Sequence, residues 1–376
     1  MIYLDNAATT RPCDEAVAAC EQSMRAEYFN PSSLYAQGFS AKKSMDTCRS
    51  LIMSRLDARA LVFTSGGTEA DNLAILGSAR AFRKRSRLLF SAVEHPAVKA
   101  ACLALSDAHE VLELPVNSTG VLDLDAARGL MASDTALICV MQVNNEIGAI
   151  QPLRELIRMR DERCPGALLH VDGVQAFARL PVSLADGIDS YAISAHKIHG
   201  PKGIGALALG SRSKLKPIVF GGGQEDGIRS GTENTAGIAG MEAAIRAYPS
   251  VEHIRLMKLR LYQGIRERIP EVRVNGPAPD AAEACDHILN LSFPPVRAQT
   301  MMHALEGLGV IVSQGSACSS RSGKPSPILQ AMGLDKNRLD SAIRFSLSHF
   351  TSGDEVDAAA EACATAYASL KNFTRR

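Results

Sequence analysis

Lys197 stands where a short apolar run, Tyr191-Ala192-Ile193, gives way to a glycine-rich turn, Ile198-His199-Gly200-Pro201-Lys202-Gly203. A charged amine at the end of a buried strand is costly unless a partner or a lowered pKa relieves it, so this lysine reads as an amine placed for chemistry. Gly66-Gly67-Thr68-Glu69 precedes an apolar pattern at Ala70, Leu73, Ala74 and Gly77. That pattern sets the glycines at a helix N-terminus, whose free amides and dipole favour an anion such as a phosphate. Asp172 adds an acid, His95 an imidazole, and Asn145 and Gln175 two side-chain amides.

A lysine able to form a Schiff base, an acid to pair with a ring nitrogen and a phosphate cradle together describe a pyridoxal 5'-phosphate site. In such a site Asp172 keeps the pyridine nitrogen protonated, and His95 stacks on the ring or shuttles a proton. Gln175 and Asn145 donate to the phenolic oxygen, while Ser194 and His196 reach the phosphate. Lys197 sheds its proton for part of the cycle, which a low-dielectric pocket with nearby cations favours.

Two more residues bear on the reaction. The stretch from Ser313 to Gly323 is small and polar with one thiol, Cys318, in its middle. It reads as an exposed loop in which Arg321 and Lys324 favour a thiolate that attacks sulfur. Cys102, Cys139 and Cys363, among apolar neighbours, read instead as small core residues. Arg344 sits alone in the apolar run Ser341-Ala342-Ile343-Arg344-Phe345-Ser346-Leu347. Its fork suits a carboxylate, either a structural partner within its own domain or the α-carboxylate of an amino-acid substrate with Asn30 assisting.

Positioning these groups requires an α/β scaffold. Between Ala60 and about Leu209, apolar runs alternate with helix-like segments, the pattern of a largely parallel sheet covered by helices. The runs 60–64, 88–93, 136–142, 168–171, 191–194 and 204–209 are the expected strands. Each of the first five is followed by candidate site residues, and the C-terminal rim of such a sheet is where ligands bind. The pair Gly203-x-Gly205 lacks a third glycine and opens no helix, which excludes a dinucleotide fingerprint. After Pro249 the pattern changes to a charged amphipathic segment, 251–269, followed by short strands and helices. The expected division is a large domain at 13–250 and a smaller α+β domain formed by 1–12 and 251–376, which carries the cysteine loop.

The chain has 376 residues, 46% of them hydrophobic, enough for two cores. A formal charge of +1 without long basic blocks argues against nucleic acid as a partner. No uncharged run approaches the ~20 residues that span a bilayer, and the N-terminus lacks a signal-peptide pattern, so a cytoplasmic protein is expected. Nine cysteines without a Cys-x-x-Cys pair imply a reducing compartment and no permanent metal.

Across nearly its whole length the chain resembles the cysteine desulfurases of the NifS and IscS branch, in the class V aminotransferase group of fold type I pyridoxal phosphate enzymes. The resemblance rests on residues 3–10 (YLDNAATT), 64–69 (TSGGTE), 143–148 (VNNEIG), 170–172 (HVD), His196-Lys197, 229–234 (RSGTEN) and 315–320 (GSACSS). It implies a seven-stranded-type sheet, L-cysteine as substrate, L-alanine as product and a persulfide on Cys318 destined for an acceptor such as an iron-sulfur scaffold. It implies further that Lys197 carries the cofactor, that Gly67, Thr68, Ser194 and His196 hold its phosphate, and that Asp172, Gln175, Asn145 and His95 surround its ring. Thr232 would reach the phosphate of a neighbouring subunit, which makes a homodimer part of the site. A transient iron-sulfur contact through Cys318 is compatible with that role. Tyr35, Gln314 and Lys324 depart from the family's usual residues. A selenocysteine lyase or another class V lyase or aminotransferase is the nearest alternative, and a non-catalytic sulfur carrier or thiol sensor is the alternative of another class.

Overall fold

The structure is a computed structural model that describes residues 1–315 and 325–372. Its strands are β1 (Ile2–Tyr3), β2 (Ala60–Thr64), β3 (Arg87–Ser91), β4 (Glu110–Leu114), β5 (Thr135–Cys139), β6 (Leu168–Asp172), β7 (Ser190–Ser194), β8 (Gly205–Leu209), β9 (Arg273–Val274), β10 (Ile288–Ser292), β11 (Val310–Ile311) and β12 (Ala342–Ser346).

Seven of them form one sheet in the order β2-β8-β7-β6-β5-β3-β4. Only β8 runs against its neighbours, so six strands point the same way and their C-terminal ends share one rim. The central strands are buried almost throughout, as Ser190–Ser194 shows, which is why they read as apolar runs without alternation. Edge strand β4 has the half-exposed pattern Glu-Val-Leu-Glu-Leu and was not among the expected strands. The expected 136–142 ends three residues early in the structure, whereas 168–171 extends by one so that Asp172 is itself the last residue of β6. Helices Gly67–Ala79, Pro96–Leu103 and Leu153–Arg163 are among those that flank this sheet.

A second hydrophobic core gathers Leu4 with residues between Ile254 and Tyr367. Its three-stranded sheet, β12-β10-β9, is packed by helices Glu252–Arg268 and Gly353–Leu370. Side chains on both helices, Leu261 and Ile265 against Val356 and Cys363, are fully buried in this core. A capping box formed by Ser352 and Glu355 fixes the start of the last helix.

The N-terminus stitches the two halves together. Strand β1 pairs in parallel with β11, and Asp5 bridges to Ser346 at the end of β12. Residues 6–10 then run back toward the large sheet, where Thr10 N donates to the His196 carbonyl at 3.0 Å.

Candidate active site

The predicted residues meet at the shared rim. A cavity of about 250 Å³ is lined by Gly67, Thr68, His95, Asn145, Asp172, Gln175, Ser194, His196, Lys197 and Arg344, with Ala7, Ala8 and Asp71 completing parts of its wall. A more open cleft of about 430 Å³ continues from Gly67, Thr68, Ser194 and His196 past Lys202. Thr232 is exposed and lines a different, smaller cavity beside Arg229 and Glu233. Asn30 corrects the expectation drawn from the sequence: it is exposed, lies outside the cavity, and its side-chain Oδ1 accepts from Ser32 N at 2.8 Å. Cys318 lies outside the described residues.

Lys197 closes the single turn of 3-10 helix Ala195–Lys197 that follows β7. Its Nζ donates to the carbonyls of Ala7 and Ala8, each at 2.7 Å. Burial, and then the charge of Arg344, push its pKa down to about 8. The amine is therefore neutral for a substantial fraction of molecules near physiological pH, as a nucleophile or base requires.

Asp172 ends β6 and is 5% exposed. Its carboxylate accepts from Val174 N at 2.9 Å. Burial raises its pKa, while His95, the Val174 amide and Lys197 oppose that rise. His95 caps helix Pro96–Leu103, its Nδ1 accepting from Ala97 N at 3.2 Å. A neutral ring with Nδ1 as acceptor must carry its proton on Nε2, and burial lowers its pKa. His196 is held by Thr9 Oγ at 3.1 Å, and burial pushes its pKa down to about 4.

Helix Gly67–Ala79 begins at the cavity, so first-turn amides that lack intrahelical partners and the positive end of the dipole face it. A β-carbon at position 67 would lie 2.6 Å from Val174 Cγ2, which explains the glycine there. The anion-binding geometry thus follows from chain packing as well as composition.

Arg344 is 1% exposed and is held from two sides. Its Nη1 donates to the Asn145 carbonyl at 2.8 Å and its Nη2 to Asp5 at 2.6 Å. Its Nε, however, is buried without a partner among the described residues, and so is the side-chain oxygen of Asn145. Gln175 is more committed: its Nε2 donates to the Ala7 carbonyl at 3.0 Å and its Oε1 faces His287 Nε2 at 3.1 Å.

Pyridoxal phosphate fits this donor set. A lysine with a lowered pKa, a buried carboxylate, helix amides for an anion and a buried arginine line one space. Sequence reasoning missed Asp5, Asp71, His287 and the carbonyls of Ala7 and Ala8. Asp5 was legible in principle, since it lies in a motif already quoted, but backbone carbonyls leave no signature in residue type.

Comparison with known proteins gives consistent matches. The Aminotransferase class-V family matches residues 2–359. A cysteine desulfurase of Cereibacter sphaeroides is 38% identical over 364 residues, covering 95% of this chain and 93% of that protein. Among solved structures, a NifS-like protein superposes with a TM-score of 0.91 at 32% identity, covering 98% of this chain and all of the other. SspA, solved in complex with cysteine, matches with a TM-score of 0.83 at 28% identity over 94% of this chain and all of that one.

Proposed function

The chain belongs to the class V aminotransferase family and, within it, to the cysteine desulfurases, and from that premise we propose how the cavity residues divide the work. The reaction converts L-cysteine and the thiol of Cys318 to L-alanine and a Cys318 persulfide, which conserves every atom. Pyridoxal phosphate, when bound, supplies the electron sink that weakens the substrate's carbon–sulfur bond.

The remaining tasks fall to side chains. The amides at the start of helix Gly67–Ala79, with Thr68, Ser194 and His196, hold the phosphate. Asp172 pairs with the ring nitrogen, His95 covers the ring, and Asn145 and Gln175 border it. Arg344, which lines the cavity, receives the substrate α-carboxylate, and Asp5 and the Asn145 carbonyl fix its fork. Lys197 Nζ holds the cofactor and later moves the proton at the substrate's α-carbon. Cys318 takes the sulfur and passes it to a protein acceptor such as an iron-sulfur scaffold.

The observation that carries this reading is the convergence of Lys197, Asp172, Arg344 and the start of helix Gly67–Ala79 on one cavity. Incubation with L-cysteine and a thiol reductant such as dithiothreitol, which reduces the persulfide, should yield alanine and sulfide, and both Lys197→Ala and Cys318→Ser should stop it. Cysteine turnover retained by Cys318→Ser would remove the thiol from the mechanism.

A homodimer completes the proposal. Exposed Val17, Met24, Tyr28, Leu34 and Phe39 lie along helix Asp14–Ala26, the following loop and the start of helix Ala36–Leu56, a surface suited to a second copy. Thr232, which does not line the cavity of its own chain, would serve the neighbour's phosphate. Mixed dimers of Lys197→Ala with Thr232→Val test this, because one intact and one doubly defective site are expected from sharing. The division at 13–250 and 1–12 with 251–376 belongs to the same reading and is open to limited proteolysis. No helix among the described residues is long and apolar enough to cross a membrane, and a cytoplasmic location is proposed.

A further inference from the structure

Beneath the cavity lies a group of buried carboxylates that the reaction does not use. Asp71, on helix Gly67–Ala79, is 1% exposed, and Glu94 is 4% exposed. The nitrogen and oxygen atoms of Asp71, His95 and Asp172 that face one another lie within 4.8 Å. Two carboxylates that close, both removed from water, do not share two full negative charges; one takes up a proton. Their surroundings decide which.

Asp172 has an amide donor in Val174 and two basic neighbours, His95 and Lys197. Asp71 is acted on by Asp172, Glu94 and the Cys102 thiol, all of which raise its pKa, and by no lysine or arginine among the described residues. Its hydrogen-bond partner is His170 Nε2 at 3.1 Å, on β6. The other nitrogen of that ring, Nδ1, meets Ser190 Oγ at 2.9 Å, on β7. Every member of this set is buried, so no water shell screens a charge placed on it.

We propose that Asp71 is protonated in the folded protein and forms a neutral chain with His170 and Ser190, leaving Asp172 as the ionised member of the pair at the cavity floor. In that chain Asp71 O–H donates to His170 Nε2, and His170 Nδ1–H donates to Ser190 Oγ. Burial pushes the pKa of His170 down to about 3 and raises that of Asp71 well above the carboxylate range, which agrees with a neutral pair. Asp71 is then a positioning residue: it closes the floor without competing with Asp172 for the proton of the ring nitrogen. That consequence rests on the cofactor reading above, whereas the charge assignment stands without it.

Infrared spectroscopy of protein labelled with carbon-13 aspartate tests the assignment with and without bound pyridoxal phosphate. At pH 8 an isotope-shifted carbonyl band of a protonated aspartyl group is expected in the wild-type protein in both states. Its absence overturns the proposal and needs no variant. Asp71→Asn, close in shape to a protonated aspartate, should remove that band; persistence of the band in the variant would place the proton on another aspartate and overturn the proposal equally. Because the apoprotein gives the same readout, failure of the cofactor reading would not alter the infrared result.

Discussion

Strand β7 runs between two buried arginines that behave differently. At its entrance, Arg160 is 2% exposed and every nitrogen of its fork is engaged. Its Nε donates to Asp161 at 2.8 Å, its Nη1 to the Gly187 carbonyl at 2.7 Å and to Asp189 at 3.3 Å, and its Nη2 lies 2.7 Å from Asp161. Beyond its exit, Arg344 is equally buried, yet its Nε has no partner among the described residues. A bare N–H in a charged, buried group costs about 1–3 kcal/mol or more. A structural ion pair avoids that cost, and a ligand site carries it until the ligand arrives. For this pair of arginines, completeness of hydrogen bonding rather than burial marks the difference.

The two buried lysines repeat the contrast. Lys258 is 1% exposed, donates to the Cys285 carbonyl at 2.6 Å and serves the fold. Lys197 has carbonyl partners too, but they sit in a cavity beside Asp172 and Arg344, where the amine has room to exchange them for another bond.

The sharpest way to break the comparison is to remove an amine from each region. Lys197→Ala should lower cysteine turnover by about 10³-fold or more, whereas Lys258→Met should leave turnover per folded molecule intact. Turnover surviving in Lys197→Ala would erase the distinction. Next in size is the arginine pair. Arg160→Ala should cost about 1–3 kcal/mol in denaturant unfolding, because Asp189 and the Gly187 carbonyl lose a buried donor while Asp189 keeps Arg212 and the Leu169 amide, with KM for cysteine unchanged. Arg344→Ala should instead raise KM by about 10²-fold while cysteamine, which lacks a carboxylate, is processed no worse than by the wild type.

A pH measurement sharpens the chemical end further. Only the neutral amine of Lys197 adds to pyridoxal phosphate, so the rate of reconstitution of apoprotein should rise with pH and level off, with a midpoint near the lowered value of about 8 rather than the ordinary 10.5. Arg344→Gln removes a cation that depresses that value, and the midpoint should move up. Asp5→Asn removes an anion that supports the ammonium form, and the smallest effect expected is a shift of the midpoint down. Stopped-flow absorbance checks both signs.

Much of this was legible because the site residues follow the central strands. Apolar runs marked β2, β6 and β7 closely, and Gly67, Asp172 and Lys197 stood at their ends. Edge strand β4 escaped because Glu110 and Glu113 interrupt its apolar run and resemble a solvated surface. The position of Asn30 escaped because its neighbours in sequence say nothing about where the loop lies relative to Arg344. Asp5 and Asp71 escaped for a different reason: an acid in a motif shows its role only when the groups it faces are known. The N-terminal carbonyls of Ala7 and Ala8, which hold Lys197 across about 190 positions of sequence, are a product of tertiary folding alone.

The account stands or falls on which amine carries the cofactor. Borohydride reduction of the protein loaded with pyridoxal phosphate, followed by peptide mapping, should place the pyridoxyl group on Lys197. Finding it on Lys258 or Lys202, with Lys197 unmodified, would contradict the assignment of the cavity and of every role derived from it.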